Sequence, residues 1–387
     1  VDRTCRGRAV HDVIVVGGGP VGLYTALLLR RAGVDAVVLE RRTERSRHSR
    51  AIGIHPPALR ALGLDGVADE LRARGIRIRD GVARSAGRHV GTVSFSTLPG
   101  DEKYVLAVPQ AVTEEILERR LEEDHPGCLV RGVEVTGVEE RAGHVRVAIS
   151  SEGTDTVVEA RLLVAADGAR SSVRENLAIG APARRYPDCY VMGDFHDSTD
   201  DGDDAVLYLE AGGIVESFPL PGHIRRWVVR LGAPLADPTA GRLADLVGQR
   251  TGGGGGPAPN SMLWAVGVQA RLADRVVSGR TVLIGDAAHE ISPIGGQGMN
   301  LGWLDAVDLA PIITASLRDG REVGGGLRRY ERERRTRARA ARAKAEINMV
   351  LGRPLPAYLL RPRNRLLGTL IRNRTVHRGV ARAFTMQ

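Results

Sequence analysis

The 387-residue chain is 43% hydrophobic and 26% charged, a composition that buries a core and excludes disordered and fibrous proteins. Its net charge of +9 suggests a nucleic-acid partner until it is divided. Residues 327–387 hold sixteen Arg and one Lys against three Glu, a net +14 that leaves −5 for residues 1–326. With Lys103 and Lys344 the only lysines, the Arg excess reads as a coding bias, and neither nucleic acid nor a membrane is expected as a partner. Single cores stop growing at about 250–300 residues, so an interleaved two-domain body is expected. No apolar run approaches the roughly 18 residues of a membrane span, and residues 1–10 are polar and basic without an apolar signal region, so a cytoplasmic protein is expected. Cys5, Cys128 and Cys189 lie far apart, which suits a reducing compartment and gives no disulfide or zinc framework.

Residues 12–16 form a short apolar, β-branched run, 20–32 a helical segment closed by Gly33, and 36–39 a second apolar strand. Together they read as a βαβ unit. An Arg-rich connection leads to helical patterns at 56–62 and 67–75, then to strand-like alternation over 76–97. A helix is expected at 111–123, with Ile116, Leu117 and Leu121 at core spacing, and a hairpin turning at Ala142-Gly143 over 133–149. A buried strand follows at 162–166. Strands at 205–209, 213–218 and 226–231, set between Gly and Pro turns, imply a separate antiparallel sheet. The glycine runs 252–256 and 324–326 read as loops, 281–285 as a strand, 298–317 as a helix, and everything beyond Leu327 as helical. The acidic cluster Asp197, Asp200, Asp201, Asp203 and Asp204 lacks EF-hand spacing and its closing Glu, so it reads as a solvated loop, and no metal site is expected.

Three motifs carry chemistry. Gly17-Gly18-Gly19-Pro20-Val21-Gly22 is a G-x-G-x-x-G between strand and helix: Gly17 for the tight turn, Gly19 for close approach of a pyrophosphate, Gly22 for helix packing. Glu40 ends the next strand, placed to accept hydrogen bonds from a ribose, which predicts dinucleotide binding and leaves NAD or FAD open. The segments Leu163-Val164-Ala165-Ala166-Asp167-Gly168 and Val282-Leu283-Ile284-Gly285-Asp286-Ala287 each end a buried strand in an Asp beside a Gly, and the second continues as Gly295-Gly296-Gln297-Gly298-Met299-Asn300.

With these motifs the chain resembles the para-hydroxybenzoate hydroxylase-like, group A FAD-dependent aromatic monooxygenases over nearly its whole length, in a short form without a C-terminal thioredoxin-like domain. The resemblance implies an α/β fold in which a GxGxxG FAD-binding Rossmann-like domain (1–75, 104–180 and 270–326) interleaves with an antiparallel-sheet substrate domain (76–103 and 181–269), followed by basic C-terminal helices (327–387). It implies FAD as cofactor, NADPH or NADH as electron donor, and insertion of one oxygen atom from O2 into an aromatic or polycyclic small molecule through a flavin C4a-hydroperoxide. The cofactor set it implies includes Gly17, Gly19, Gly22, Glu40, Arg41 and Asp167, with Arg50 and Gln110 on the FAD phosphates and ribityl chain. Asp286 would take the ribityl hydroxyls, and the helix starting at Gly298 would aim the N–H groups of Met299 and Asn300 at the flavin pyrimidine, where negative charge builds on reduction. Arg170, Arg174 and Arg271 match basic positions near the nicotinamide donor. Pro293 and Gly295 would line the flavin face where oxygen is activated, and Tyr208 aligns with a substrate-contacting tyrosine.

The family's carboxylate-binding Arg has no counterpart here, since Arg225 and Arg226 follow Pro221-Gly222 and read as a hairpin tip. The aliphatic strand 214–220 is expected to wall the pocket, which favours a larger apolar aromatic over a simple hydroxybenzoate. His55, His196, His223 and His289 sit in no pattern that marks a base. The competing enzyme class is an FAD-dependent dehydrogenase or reductase of a quinone or isoprenoid-type substrate without oxygen insertion. A halogenase is disfavoured because Trp227, Trp264 and Trp303 are scattered.

Overall fold

Among the described residues, two eight-stranded sheets and a three-stranded one organise the fold. The computed structural model describes residues 10–45, 51–63, 66–235, 237–253, 263–292, 294–319 and 323–387. The first sheet has a parallel centre in which Leu129–Arg131, Ala36–Glu40, His11–Val16, Thr154–Ala165 and Thr281–Leu283 lie side by side. Val13, Ile14, Val15, Val38, Leu163 and Val164 are wholly buried there, as parallel strands covered on both faces require. Helix Pro20–Arg31 opens on Pro20, whose fixed φ and missing N–H suit a first helical position. It packs closely on helix Gln297–Asp319, because a Cβ on Gly302 would stand 2.5 Å from Val21 Cγ2. Trp303 locks the crossing by donating Nε1–H to Pro20 O at 3.0 Å.

The second sheet runs His289–Glu290, Leu263–Leu272, Ala183–His196, Ile224–Leu231, Val215–Leu220, Ala205–Tyr208, Asp80–Ser85, Arg88–Ser94. It is antiparallel except where Ala205–Tyr208 runs parallel to Asp80–Ser85. One face packs Phe195, Trp227 and Val229 against Leu243 and Val247 of helix Ala240–Thr251. The other face looks toward the first sheet. Helices Ala357–Arg372 and Arg374–Thr385 cross its far edge at Arg88–Ser94, joined at Asn373, whose side chain caps the second helix.

Three sequence expectations change. Gly324–Gly326 belong to helix Val323–Leu351, not a loop; a Cβ on Gly326 would come within 2.9 Å of Ile312 Cγ2, so Gly326 serves close helix packing. Arg225 and Arg226 are not a hairpin tip but buried, at 0% and 1% exposure. The acidic segment before them is correspondingly no solvated loop throughout. Asp197 accepts from Arg225 Nε at 2.9 Å, and buried Asp201 pairs with Arg84 at 2.6 Å, since cations taken out of water demand partners.

Candidate active site

Parallel pairing brings four strand ends to one edge of the first sheet. Gly17 N donates to Leu39 O at 2.8 Å, Ala166 N to Val16 O at 2.8 Å, and Ile284 N to Ala165 O at 2.9 Å. Gly17, Glu40, Asp167 and Gly285 therefore emerge together at the carboxyl ends of the strands, the edge where open α/β sheets bind ligands. Gly17 has φ of +106°, and a Cβ on Gly22 would overlap Gly17 O, so the turn closes only with glycine at both positions. A Cβ on Gly19 would meet nothing within 4 Å, which leaves open space over the helix N-terminus and its free N–H groups.

Glu40 accepts from Gly18 N at 2.6 Å and from Arg42 N and Nε at 2.9 Å each. Burial opposes its ionisation, but the Arg42 and Gly18 hydrogen bonds outweigh that and hold its carboxyl below the usual range. Gln110 donates to Glu114 Oε1 at 2.8 Å and accepts from Ala51 N at 3.3 Å. Asp167 caps the short helix Ser172–Asn176 through Val173 N at 3.2 Å, while its buried Oδ1 has no donor among the described residues. Burial raises its pKa. Asp286 and Gly298 face each other, a Cβ on Gly298 lying 3.6 Å from Asp286 Oδ1.

From this edge a cavity of about 1060 Å³ extends to the second sheet. Gly17, Gly19, Glu40, Arg41, Gln110, Asp167, Arg170, Asp286, Gly295, Gly298 and Met299 all line it. Its far wall is the inner face of the second sheet, with Met192, Val228, Leu207 and Phe218, and its cover is formed by Leu367, Ile371, Val380 and Phe384 of the last two helices. Buried His55 accepts a place between the two ends: its Nε2 lies 3.2 Å from Gly295 O, and burial pushes its pKa down to about 4, so it stays neutral.

Other expected site residues stand elsewhere. Tyr208 is absent from the cavity wall, because the pleat sends Leu207 and Leu209 inward and Tyr208 to the opposite face, where its hydroxyl donates to Asp201 at 3.2 Å and its ring packs on Trp227. Arg174 is buried and spans two motifs, donating to Ala169 O at 2.9 Å and Ala287 O at 3.0 Å. Arg271 pairs with Glu290 at 3.1 Å. Asn300 braces the site from behind, donating to Gly53 O at 2.9 Å and Gly296 O at 2.8 Å. His289 sits 2.6 Å from Asp305; burial lowers its pKa, but that carboxylate more than compensates and raises it. Arg50 and Pro293 lie outside the described residues.

The sequence reading missed Arg42, Glu114 and Glu216. Arg42 and Glu114 follow or repeat ordinary surface patterns, so nothing local distinguishes them. Glu216 did leave a signal, a single acid inside the run Ile214-Val215-Glu216-Ser217-Phe218.

A carboxyl-end edge of this kind takes a dinucleotide, and the apolar chamber opening directly from it leaves room for a substrate beside the cofactor. The donorless Asp167 Oδ1, the open cradle over Gly19 and the length of the cavity fit the larger flavin dinucleotide. A family model described as the FAD binding domain matches residues 10–345, and the chain belongs to that family. It is 33% identical over 368 residues to the 12-dehydrotetracycline 5-monooxygenase/anhydrotetracycline 6-monooxygenase of Streptomyces rimosus, covering 90% of this chain and 71% of the relative. The crystal structure of p-nitrophenol 4-monooxygenase from Pseudomonas putida superposes with a TM-score of 0.88 at 25% identity, covering 97% of this chain and 98% of that one. Aklavinone-11 hydroxylase, solved as a ternary complex with FAD and aklavinone, superposes at 0.76 with 28% identity, covering 90% of this chain and 70% of that one. The protein is an FAD-dependent monooxygenase of the group A aromatic hydroxylases, with NAD(P)H as the electron donor typical of them.

Proposed function

We propose that the enzyme inserts one atom of O2 into a polycyclic aromatic of the size of a tetracyclic polyketide, in the cytoplasm of a cell that makes or modifies such compounds. The observation that carries this reading is the chamber itself: about 1060 Å³ in all, walled beyond the cofactor edge by Met192, Val228, Leu207 and Phe218 and covered by the apolar side chains Leu367, Ile371, Val380 and Phe384 of the last two helices. Two similar proteins act on tetracyclines and on aklavinone by their names. Both described cysteines, Cys128 and Cys189, are free, which agrees with a reducing compartment, and among the described residues no helix is long and apolar enough to cross a membrane.

In this reading Glu40 holds the adenosine ribose, the N–H groups over Gly19 the pyrophosphate, and Gln110 and Asp286 the ribityl chain. The first turn of helix Gln297–Asp319, at Gly298 and Met299, presents N–H donors to the pyrimidine edge of the flavin. Bound FAD supplies electron transfer and oxygen activation. The chain's own groups then bind the substrate, keep water away and hold protons. Exposed Arg170, on the cavity rim beside Asp167, is the cation placed to meet the nicotinamide donor. The test is anaerobic reduction of the purified flavoprotein by NADPH and by NADH, then admission of 18O2 with anhydrotetracycline-like and hydroxybenzoate substrates. Label in the polycyclic product, with hydroxybenzoate inert, supports the reading. Reduction without label in any product would replace it with a dehydrogenase or reductase.

A further inference from the structure

Across the inner face of the second sheet, strand register aligns Trp264, Met192, Val228, Glu216, Leu207 and Ala83 in one row. All six line the cavity, and five of them are apolar. Glu216 is 8% exposed and, among the described residues, its carboxyl makes no hydrogen bond or ion pair. A carboxyl stripped of water without a partner is costly, so its retention in the middle of a ligand wall points to a partner that arrives with the ligand.

The charged and titratable neighbours cannot serve Glu216. On the adjacent strand Arg226 is held bidentately by Asp194, at 2.6 and 2.8 Å, and Arg230 by Asp188 at 3.0 Å. On Ala183–His196 the buried Tyr190 hydroxyl makes no hydrogen bond among the described residues, to Glu216 included, and burial, then the charges of Glu216 and Asp188, raise its pKa. Glu290, on the sheet's other edge, is engaged by Gln269 and Arg271. Among the described residues the helix Val323–Leu351 contributes only the neutral Asn348 and Leu351 to the wall, and Arg353 just beyond it belongs to Asp188.

We infer that Glu216 is the proton acceptor for an acidic hydroxyl of the substrate, and that the pocket thereby selects neutral hydroxylated polycycles over aromatic carboxylates. This rests on the polycyclic reading above and deepens it. In the step, the substrate O–H bond breaks, an O–H bond forms on the Glu216 carboxylate, and the electron pair stays on the substrate oxygen. That pair enriches the ring carbons ortho and para to it, where an electrophilic oxygen is received. A carboxylate substrate would face Glu216 with like charge, while the neighbouring Arg226 and Arg230 are already held by Asp194 and Asp188. Burial pushes the Glu216 pKa up to about 7, which matches it to a phenol better than an ordinary carboxylate and leaves it ionised above neutrality.

The experiment uses the FAD-loaded enzyme and three probes, 2-naphthol, 2-methoxynaphthalene and 2-naphthoate, titrated against the visible flavin spectrum from pH 6 to 8.5. Wild type is expected to bind naphthol roughly tenfold tighter than the ether above pH 7, the scale of a charge-assisted hydrogen bond, with naphthoate weakest. Glu216→Gln should level naphthol and ether and abolish the pH step in naphthol affinity. Glu216→Leu, compatible with the apolar row, should do the same and guards against a folding defect in the first variant. A hydroxyl preference and pH step that persist in both variants overturn the assignment while leaving the polycyclic reading intact. Failure of all three probes to bind wild type removes that reading and the Glu216 assignment with it.

Discussion

At the dinucleotide end of the cavity the ligand-facing groups come from strand termini and the turns that follow them, whereas at the far end they come from mid-strand pleats and from the helices Ala357–Arg372 and Arg374–Thr385. The first kind of wall is polar, and its carboxylates are mostly partnered: Glu40 by Gly18 and Arg42, Glu114 by Gln110. The second is apolar and holds an acid, Glu216, that has no partner among the described residues. The contrast has a physical source. A phosphate-bearing cofactor is met by backbone N–H groups that strand ends and helix starts expose anyway. An apolar substrate is met by area, which only a packed sheet face and a helical cover can supply.

The comparison makes its strongest demand on the turn. Gly22→Ala puts a methyl onto Gly17 O, an overlap that the closed turn has no room to relax, so FAD binding should weaken on the order of 100-fold and the protein should purify without its yellow colour. Retained flavin would show that the glycine contact is not what shapes the cradle.

A change at the opposite wall should have the opposite sign on stability. Glu216 has its folded pKa raised to about 7 from 4.5, so the native state holds its proton where the unfolded chain releases it. Stability therefore falls as pH rises from about 4.5 to about 7, and above that the loss is complete. Glu216→Leu removes it and should be more stable than wild type by up to about 3 kcal/mol at pH 8, with little difference at pH 4.5, measured by urea unfolding of the apoprotein. Equal stability at pH 8 would show that the side chain finds a partner in solution.

Smaller effects should separate cover from framework. Phe384→Ala opens the apolar cover and should raise KM for a polycyclic substrate about tenfold, the worth of one partly lost aromatic contact, while FAD affinity stays level. A parallel loss of FAD would mean that the two ends are not independent. Tyr208→Phe removes one buried hydrogen bond to Asp201 on the side of the sheet away from the ligand, so stability should drop by about 1 kcal/mol with kcat unchanged. A large fall in kcat would return Tyr208 to the reaction.

Much of the dinucleotide edge was legible in the sequence. Apolar runs ending in Gly17, Glu40, Asp167 and Asp286 are local patterns, and parallel pairing leaves little choice about where their ends lie. The far wall was legible only as composition. Expecting strand 214–220 as a wall was sound at Ile214, Glu216 and Phe218, yet the pleat that turns those three inward also turned Tyr208 outward, and one residue of register separates the outcomes. Arg225 and Arg226 looked like a surface turn because their partners Asp197 and Asp194 lie about thirty residues away in the chain, a separation with no local trace.

By itself, then, the sequence determined that a dinucleotide binds at the end of a βαβ unit and that two further Asp-Gly turns accompany it, because glycine tolerance and strand periodicity are short-range properties. Tertiary structure alone decided which face of each antiparallel strand meets the ligand, that helices 357–385 cover the chamber, and that Glu216 is buried there with no partner among the described residues, because burial and side-chain pairing depend on packing between segments far apart in the chain.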